Sequence, residues 1–147
     1  MTQEEKQLLL VDLSARLTHK VRIKCDGYPN GIVATGIVGD QIFHTPYFIG
    51  GEIIIDKHTI DAVRPYLRPM SSMTEEERDE IEEMSDGWFY VNEDGEIFPI
   101  GQHTRGGEFE DAILPTFEWL NKKMFDYRDL IPMGLALEAP EGMYKTE

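Results

Sequence analysis

Three histidines, His44, His58 and His103, are the residues of this chain best suited to acid–base or metal chemistry, because imidazole titrates near neutral pH and ligates metals. One of them has carboxylates close by: the triplet Asp56-Lys57-His58 is followed by Asp61. Two carboxylates near one imidazole are the minimum for a divalent metal or a general base. The spacing selects neither, since no His-Glu-x-x-His motif is present. The sequence therefore assigns no catalytic residue, no metal ligand and no cofactor.

Cys25 is the single cysteine, so neither a disulfide nor a multi-cysteine zinc site can form within one chain. Lys24 precedes it, but adjacent strand residues point to opposite faces, which favours a half-buried structural cysteine over a reactive thiol. The glycines at 36, 39, 106 and 107 lack the strand, helix start and lysine of a phosphate loop, so they predict no nucleotide site.

The densest charge in the chain is acidic: residues 75–86 hold eight carboxylates against one arginine. Carboxylates on one helix can imitate the phosphates of a duplex and occupy a basic groove. A solvated helix face is the ordinary alternative. The candidate partner-binding face consists of Glu75, Glu76, Asp79, Glu80, Glu82 and Glu83.

Aromatic side chains concentrate in the second half of the chain. Such rings build either a core or a contact surface. The candidate contact surface consists of Trp88, Tyr90, Trp119 and Tyr127.

The charge of the 147-residue chain is uneven. Its formal net charge is −14, and residues 1–70 are balanced with eight acidic and eight basic side chains, so the excess lies entirely beyond them. This disfavours direct nucleic-acid binding and anionic membranes and favours a basic protein partner, although Lys20, Arg22 and Lys24 leave a local basic patch open. The longest apolar run, Leu8 to Val11, is too short to cross a bilayer, and the acidic start resembles no signal peptide. We therefore expect a cytoplasmic protein without membrane contact.

The first half predicts a helix followed by strands. Thr2 and Glu5 form a capping box for a helix from Gln3 to Leu17, with an apolar stripe of Leu9, Leu10, Leu13 and Leu17. Between His19 and Thr59, β-branched residues alternate with polar ones and are interrupted by turn formers. Four short strands at this spacing predict a bent antiparallel sheet, an SH3-like barrel or half-barrel.

The second half predicts a helix, a hairpin and another helix. Thr74 and Glu77 form a second capping box. The expected elements are an extended connector at Arg64–Pro69, a helix at Glu75–Met84, a hairpin of Trp88–Val91 with Glu96–Ile100 about Asn92–Gly95, a mobile loop at Gly101–Gly107, a helix at Leu114–Met124 with Pro115 in its first turn, and a frayed tail after Pro140.

Two segments carry a resemblance. The first segment is PYLRPMSSMTEEE, which begins at Pro65. The second segment runs from Trp119 to Pro140 and contains the stretches WLN, FDYRDLI and GLALEAP. They resemble a group of small uncharacterised proteins encoded by gut bacteria, their phages and other mobile elements. The region from Asp86 to Glu110 is less similar. The resemblance implies a bacterial, mobile-element context, and it implies no activity and no functional residue.

Taken together, the patterns predict an α+β fold: an N-terminal helix, a small bent antiparallel sheet, an acidic helix, a β-hairpin and a C-terminal helix. We expect one domain over residues 1–147, with an internal seam at 64–74. The function most compatible with these features is that of a non-enzymatic protein-binding or adaptor protein. The alternatives are an acidic inhibitor or nucleic-acid mimic acting on a basic protein, and a small enzyme. The sequence leaves the oligomeric state open.

Overall fold

The computed structural model describes residues 1–99 and 109–144, and over these residues the fold is α+β, with a largely antiparallel sheet. The helices are α1 (Gln3–Arg16), α2 (Glu75–Met84) and α3 (Phe109–Lys122). The strands are β1 (Arg22–Cys25), β2 (Tyr28–Val38), β3 (Gln41–His44), β4 (Tyr47–Ile49), β5 (Glu52–Ile54), β6 (Lys57–Thr59), β7 (Arg64–Leu67), β8 (Phe89–Val91), β9 (Ile97–Pro99) and β10 (Leu137–Glu138).

The chain divides into two compact units. The first combines Met1–Leu67 with the segment that begins at Arg128, and the second is Arg68–Tyr127. The step from the first unit to the second lies between Leu67 and Arg68. The single domain over residues 1–147 with an internal seam at 64–74 stays a prediction. The second unit is an insertion into the first.

Helix α1 in the first unit begins as predicted. The Thr2 N–H donates to Glu5 Oε1 at 2.8 Å and the Glu5 N–H donates to Thr2 Oγ1 at 3.0 Å, which completes the capping box. Its buried stripe differs from the prediction, because Asp12 and Arg16 replace Leu10 and Leu17 beside Leu9 and Leu13. The Arg16 guanidinium donates two hydrogen bonds of 3.0 Å to the Asp12 carboxylate, so each charge is neutralised where it is buried.

The main sheet of the first unit has six strands in the order β10-β7-β1-β2-β3-β6, with antiparallel pairing except between β10 and β7. Strands β10 and β6 are its two edges, so over the described residues the sheet does not close and the barrel alternative is wrong. The SH3-like half-barrel stays a prediction. Strands β4 and β5 form a separate antiparallel hairpin between β3 and β6.

The connector predicted at Arg64–Pro69 is wrong, because Arg64–Leu67 forms a strand inside the sheet. A proline cannot donate to a ladder, and this disfavours a central strand. Here Pro65 pairs only with Ile23 of β1, and β10 joins β7 one residue later, at Tyr66. Pro65 therefore occupies a position with one neighbouring strand, where its missing N–H is tolerated.

The predicted fraying after Pro140 is wrong as far as Tyr144. The Tyr144 hydroxyl accepts from the Arg22 backbone N–H at 2.8 Å and donates to the Tyr66 carbonyl at 2.8 Å. One side chain thus ties the C-terminal segment to two strands of the sheet.

The second unit is built on α2, the β8–β9 hairpin and α3. The capping box of Thr74 and Glu77 and the hairpin turn with Gly95 at φ +83° are both confirmed. A Cβ at Gly95 would collide with the backbone of Met70 and Ser71, so this position requires glycine. The buried residues of the core are Met73, Ile81, Val91, Trp119, Leu120 and Phe125.

Helix α3 begins at Phe109, so Pro115 lies in the helix interior and its placement in a first turn is wrong. The loop predicted at Gly101–Gly107 lies outside the described residues. Among the helices of the described ranges, none has the length and apolar composition needed to span a bilayer.

Candidate metal centre

Three strands of the first unit end or pass at one place and carry a cysteine and two histidines there. Cys25 is the last residue of β1, His44 is the last residue of β3, and His58 is the middle residue of β6. Because His58 pairs with Ile42, and His44 lies two residues beyond Ile42 on the same face, the two imidazoles are diagonal neighbours.

Two of the three strand pairs that lead to this place contain a register shift. One shift lies between Ile23 and Cys25 in the pairing of β1 with β2, and the other lies between Ala34 and Gly36, opposite the end of β3. An extra residue in one strand re-aims the side chains beside it, and such bulges are common next to functional sites. Cys25 and His44 lie beside these two irregularities.

The donor atoms of Cys25, His44 and His58 lie within 4.8 Å of one another. The two imidazole rings are stacked with their centroids 5.4 Å apart. The side chains of His44 and His58 are 0% and 16% exposed, and Cys25 is buried. Sulfur and nitrogen donors from three strands therefore converge in the interior of the unit.

The tautomer of His44 follows from its contacts. Its Nδ1 lies 3.2 Å from the Thr45 carbonyl oxygen. A carbonyl can only accept, so the tautomer with the hydrogen on Nδ1 makes this hydrogen bond, and in that tautomer Nε2 presents a lone pair. The ring of Tyr28 packs edge-on against the imidazole of His44, with the two ring centroids 4.7 Å apart, and restrains the orientation of the imidazole.

Both Nε2 atoms are buried and make no hydrogen bond within the described part of the chain. The carboxylate oxygen Asp56 Oδ2 lies 3.7 Å from His44 Nε2 and 3.8 Å from His58 Nε2. These separations exceed hydrogen-bonding distance. Buried polar atoms are nearly always satisfied, so two lone nitrogen atoms facing one point call for a ligand between them.

The electrostatics keep the Cys25 thiol protonated in the absence of a cation. Burial raises the pKa of this thiol, and the nearby carboxylates of Asp56 and Asp26 raise it further. A bound metal ion reverses this effect, because coordination deprotonates a thiol. Metal binding at this place therefore releases a proton.

The structure brings together residues that the sequence did not connect. It joins His58 and Asp56 of the Asp-x-His triplet to His44 and Cys25, whereas Asp61 pairs with Lys6 at 3.3 Å. His103 lies outside the described residues. Strand alternation in Ile42-x-His44 and Asp56-x-His58 was a usable signal, but pairing β3 with β6 was needed to recognise it.

The six carboxylates of the candidate acidic face are all exposed on α2. Glu80 is also engaged within the unit, because its Oε1 accepts from Trp119 Nε1 at 3.0 Å. The four aromatic residues are placed unequally. Tyr90 is 44% exposed, Trp88 and Tyr127 are half-buried, and Trp119 is 7% exposed in the core, which leaves little of its ring available as a contact surface.

Comparison with protein-family models, with curated proteins and with solved structures gives no match for this chain. The resemblance to proteins of gut bacteria and mobile elements therefore stays a prediction.

Proposed function

We propose that this protein binds a late first-row transition ion, in particular Zn²⁺, through Cys25, His44 and His58. The observation that carries this proposal is the convergence of one sulfur and two nitrogen donors within 4.8 Å, with both Nε2 atoms buried and without a hydrogen bond in the described residues.

The donor set favours zinc over the hard cations. Thiolate and imidazole suit Zn²⁺, whereas Mg²⁺ and Ca²⁺ take oxygen ligands. A tetrahedral Zn²⁺ with bonds of about 2.0–2.3 Å separates its ligand atoms by roughly 3.3–3.6 Å. The distances of 3.7 and 3.8 Å from Asp56 Oδ2 to the two Nε2 atoms are close to this separation. The donor atoms of Cys25, His44 and His58, which lie within 4.8 Å of one another, would have to approach by roughly 1 Å to bind the ion. Small side-chain movements suffice.

The test is a Zn²⁺ titration of the reduced protein by calorimetry, with Cys25→Ser and His58→Gln as variants. We expect one ion per chain. Each variant should bind Zn²⁺ at least about tenfold more weakly, because even the loss of a residue that only hydrogen-bonds to a metal ligand weakens binding by about this factor. His19→Gln is the matched control, because His19 lies in the turn after α1 and outside the donor group. Equal affinity in the wild type and Cys25→Ser would contradict the proposal.

A protein-binding role is a second candidate, and the β4–β5 hairpin favours it. Ile49, Ile53 and Ile55 on and beside this hairpin are 62%, 59% and 69% exposed. Ile53 and Ile55 are two residues apart and project toward one face, whereas Ile49 pairs with Glu52 and lies on the other face. Neighbouring apolar side chains at this exposure mark contact surfaces more often than isolated ones do. A protein-binding function would use this surface in addition to the aromatic contact surface predicted from the sequence.

Affinity capture of a partner tests this role. The double variant Ile53→Ser/Ile55→Ser should lose a partner that Val38→Ser retains, since Val38 is equally exposed, at 68%, but lies at the end of β2. Retention in both variants would contradict binding through the hairpin. A partner lost at high salt instead, and lost in Glu76→Gln/Glu83→Gln, would favour the acidic inhibitor or mimic that the charge of α2 predicts.

A further inference from the structure

We propose that Asp56 is the fourth ligand of this centre, through Oδ2, and that the four protein donors make it a structural clasp at the base of the β4–β5 hairpin. This inference rests on the proposed metal site and extends it to the coordination number and the role of the ion.

The strand register places Asp56 correctly for this role. Strands β3 and β6 pair Ile42 with His58 and Phe43 with Lys57, so the next position along the ladder sets His44 opposite Asp56. In an antiparallel pair, opposite residues have neighbouring Cβ atoms on one face. Asp56 is also two residues from His58 and therefore projects toward the same face as that imidazole.

The carboxylate is oriented by its own backbone. Asp56 Oδ1 accepts from the Lys57 N–H at 2.8 Å. This bond holds the group so that the other oxygen, Oδ2, lies almost equally far from the two Nε2 atoms, at 3.7 and 3.8 Å. In the tautomer with the hydrogen on Nδ1, His44 presents a lone pair at Nε2, so two electron-rich atoms face each other across this gap. A cation between them turns a repulsive arrangement into a ligand set.

The charge of the complete set also favours a carboxylate in the fourth position. One thiolate, one carboxylate and two neutral imidazoles around Zn²⁺ sum to zero net charge. Three of these side chains are largely buried, and an uncompensated charge there is costly. With water in place of Asp56, the centre would retain a positive charge in the interior.

Four protein donors leave no open position for a substrate or a reactive water, which is the pattern of structural zinc sites. The donors also enclose a segment: His44 precedes the β4–β5 hairpin, and Asp56 and His58 follow it. A bound ion therefore links both ends of the hairpin to the end of β1. Asp56 is the most exposed of the four, with 43% of its side chain accessible, so solvent approaches the ion from this side.

Replacement of Zn²⁺ by Co²⁺ tests both the metal site and the role of Asp56 as its fourth ligand. Co²⁺ bound to a thiolate gives a near-ultraviolet charge-transfer band, and its visible d–d bands are intense in four-coordinate sites and weak when water raises the coordination number. The wild type should show the charge-transfer band with intense d–d bands. Asp56→Asn and Asp56→Ala should retain the charge-transfer band, because Cys25 remains, while the d–d bands weaken and affinity falls at least about tenfold.

The control is Asp61→Asn, which removes an equal charge at a residue paired with Lys6 and should leave spectrum and affinity unchanged. If the Asp56 variants match the wild type and the control, Asp56 is not a ligand, and the three-donor site stands alone. If the wild type itself binds no Co²⁺, or binds it without the charge-transfer band, the metal site is overturned and the clasp with it. Because Asp56 is partly exposed, its variants are expected to fold, which circular dichroism of the metal-free proteins checks.

Discussion

Single side chains in the first unit hold charges inside the fold. Asp12 accepts from Arg16 Nε and Nη2 and, at 2.7 Å, from Arg128 Nη1, and both side chains of the Asp12–Arg16 pair are 0% exposed. One carboxylate thus compensates two guanidinium groups. Sequence periodicity treats Asp12 and Arg16 as surface residues, because it does not include the pairing that allows burial.

We predict that Asp12→Ala lowers the free energy of unfolding by about 3–5 kcal/mol, because it leaves the buried Arg16 without its counter-ion. Urea unfolding followed by circular dichroism measures the change. Gln7→Ala, on the exposed side of the same helix, should stay within about 0.5 kcal/mol of the wild type. Equal effects of the two substitutions would show that the buried pair is not stabilising.

From the raised pKa of Tyr144 we predict that the protein loses stability at alkaline pH. Burial raises the pKa of its hydroxyl from the ordinary 10.0 to about 12, although its hydrogen bond with Arg22 acts in the opposite direction. A pKa that is higher in the folded protein favours folding below pH 10, and this contribution disappears as pH rises from 10 to 12. The difference of about two pKa units corresponds to about 2–3 kcal/mol.

Tyr144→Phe isolates this effect. The variant should be less stable than the wild type by about 1–3 kcal/mol at pH 8, because the Arg22 N–H and the Tyr66 carbonyl lose their partner. The gap should narrow between pH 10 and 12, since phenylalanine does not ionise. Denaturant unfolding at several pH values provides the measurement, and a constant gap would argue against an anchored hydroxyl.

At the scale of elements, the starts of α1 and α2 and the β8–β9 hairpin could be predicted from sequence, because capping boxes and glycine turns are local signals. Proline misled the prediction twice. Pro65 lies in a strand that has one partner at that position, and Pro115 lies inside α3. In both cases the surrounding packing outweighs a local preference that short-range rules treat as decisive.

Pro115 is exposed in the interior of α3, where a proline costs about 3 kcal/mol relative to alanine through its missing N–H and its ring clash. We predict that Pro115→Ala stabilises the protein by about 1–3 kcal/mol and raises the thermal midpoint. Leu114→Ala, at the neighbouring exposed position, should change the midpoint little. A lower midpoint for Pro115→Ala would indicate that α3 needs the bend a proline causes.

From the lowered pKa of Glu77 at the start of α2 we predict that the protein loses stability in acid. Burial alone would raise the pKa of Glu77, but the Arg68 guanidinium and the backbone N–H of Thr74 hold it below its ordinary 4.5. A depressed pKa stabilises the fold above pH 4.5, and this contribution is lost as pH falls through the folded-state value. Glu77→Gln should be less stable at pH 7 by about 1–3 kcal/mol and should approach the wild type in acid. Stability curves from pH 7 to 3 test this, with Glu76→Gln as the exposed control.

At the scale of the molecule, most of the net charge and the candidate metal centre belong to different units. Residues 68–127 hold 16 acidic and five basic side chains, whereas all four proposed ligands lie in the other unit. Charge could be assigned from the sequence because it only has to be counted. The centre could not, since it depends on two strand registers and two bulges that join residues 25, 44, 56 and 58.

We predict that Zn²⁺ stabilises the two units unequally. At a free concentration 100 times its Kd, the ion should raise the stability of the state that binds it by about 2.7 kcal/mol. Amide hydrogen exchange should slow mainly in β1, β3 and β6, with little change in α2 and α3. Chelation should reverse the effect, and Cys25→Ser should not respond. Uniform protection across both units would show instead that they unfold together.

The parallel pairing of β10 with β7 has a consequence for biosynthesis. Roughly 70 residues, including the entire second unit, separate the paired residues Tyr66 and Leu137, so closing this contact carries a large entropic cost until the insertion is compact. On the ribosome, Arg68–Tyr127 emerges before β10 and can fold while the edge of β7 still lacks its partner. Nascent chains halted before residue 137 would carry an exposed strand edge, which is a template for aggregation. Early folding of the insertion is therefore a condition for completing the sheet, whose strands precede and follow the insertion in the sequence.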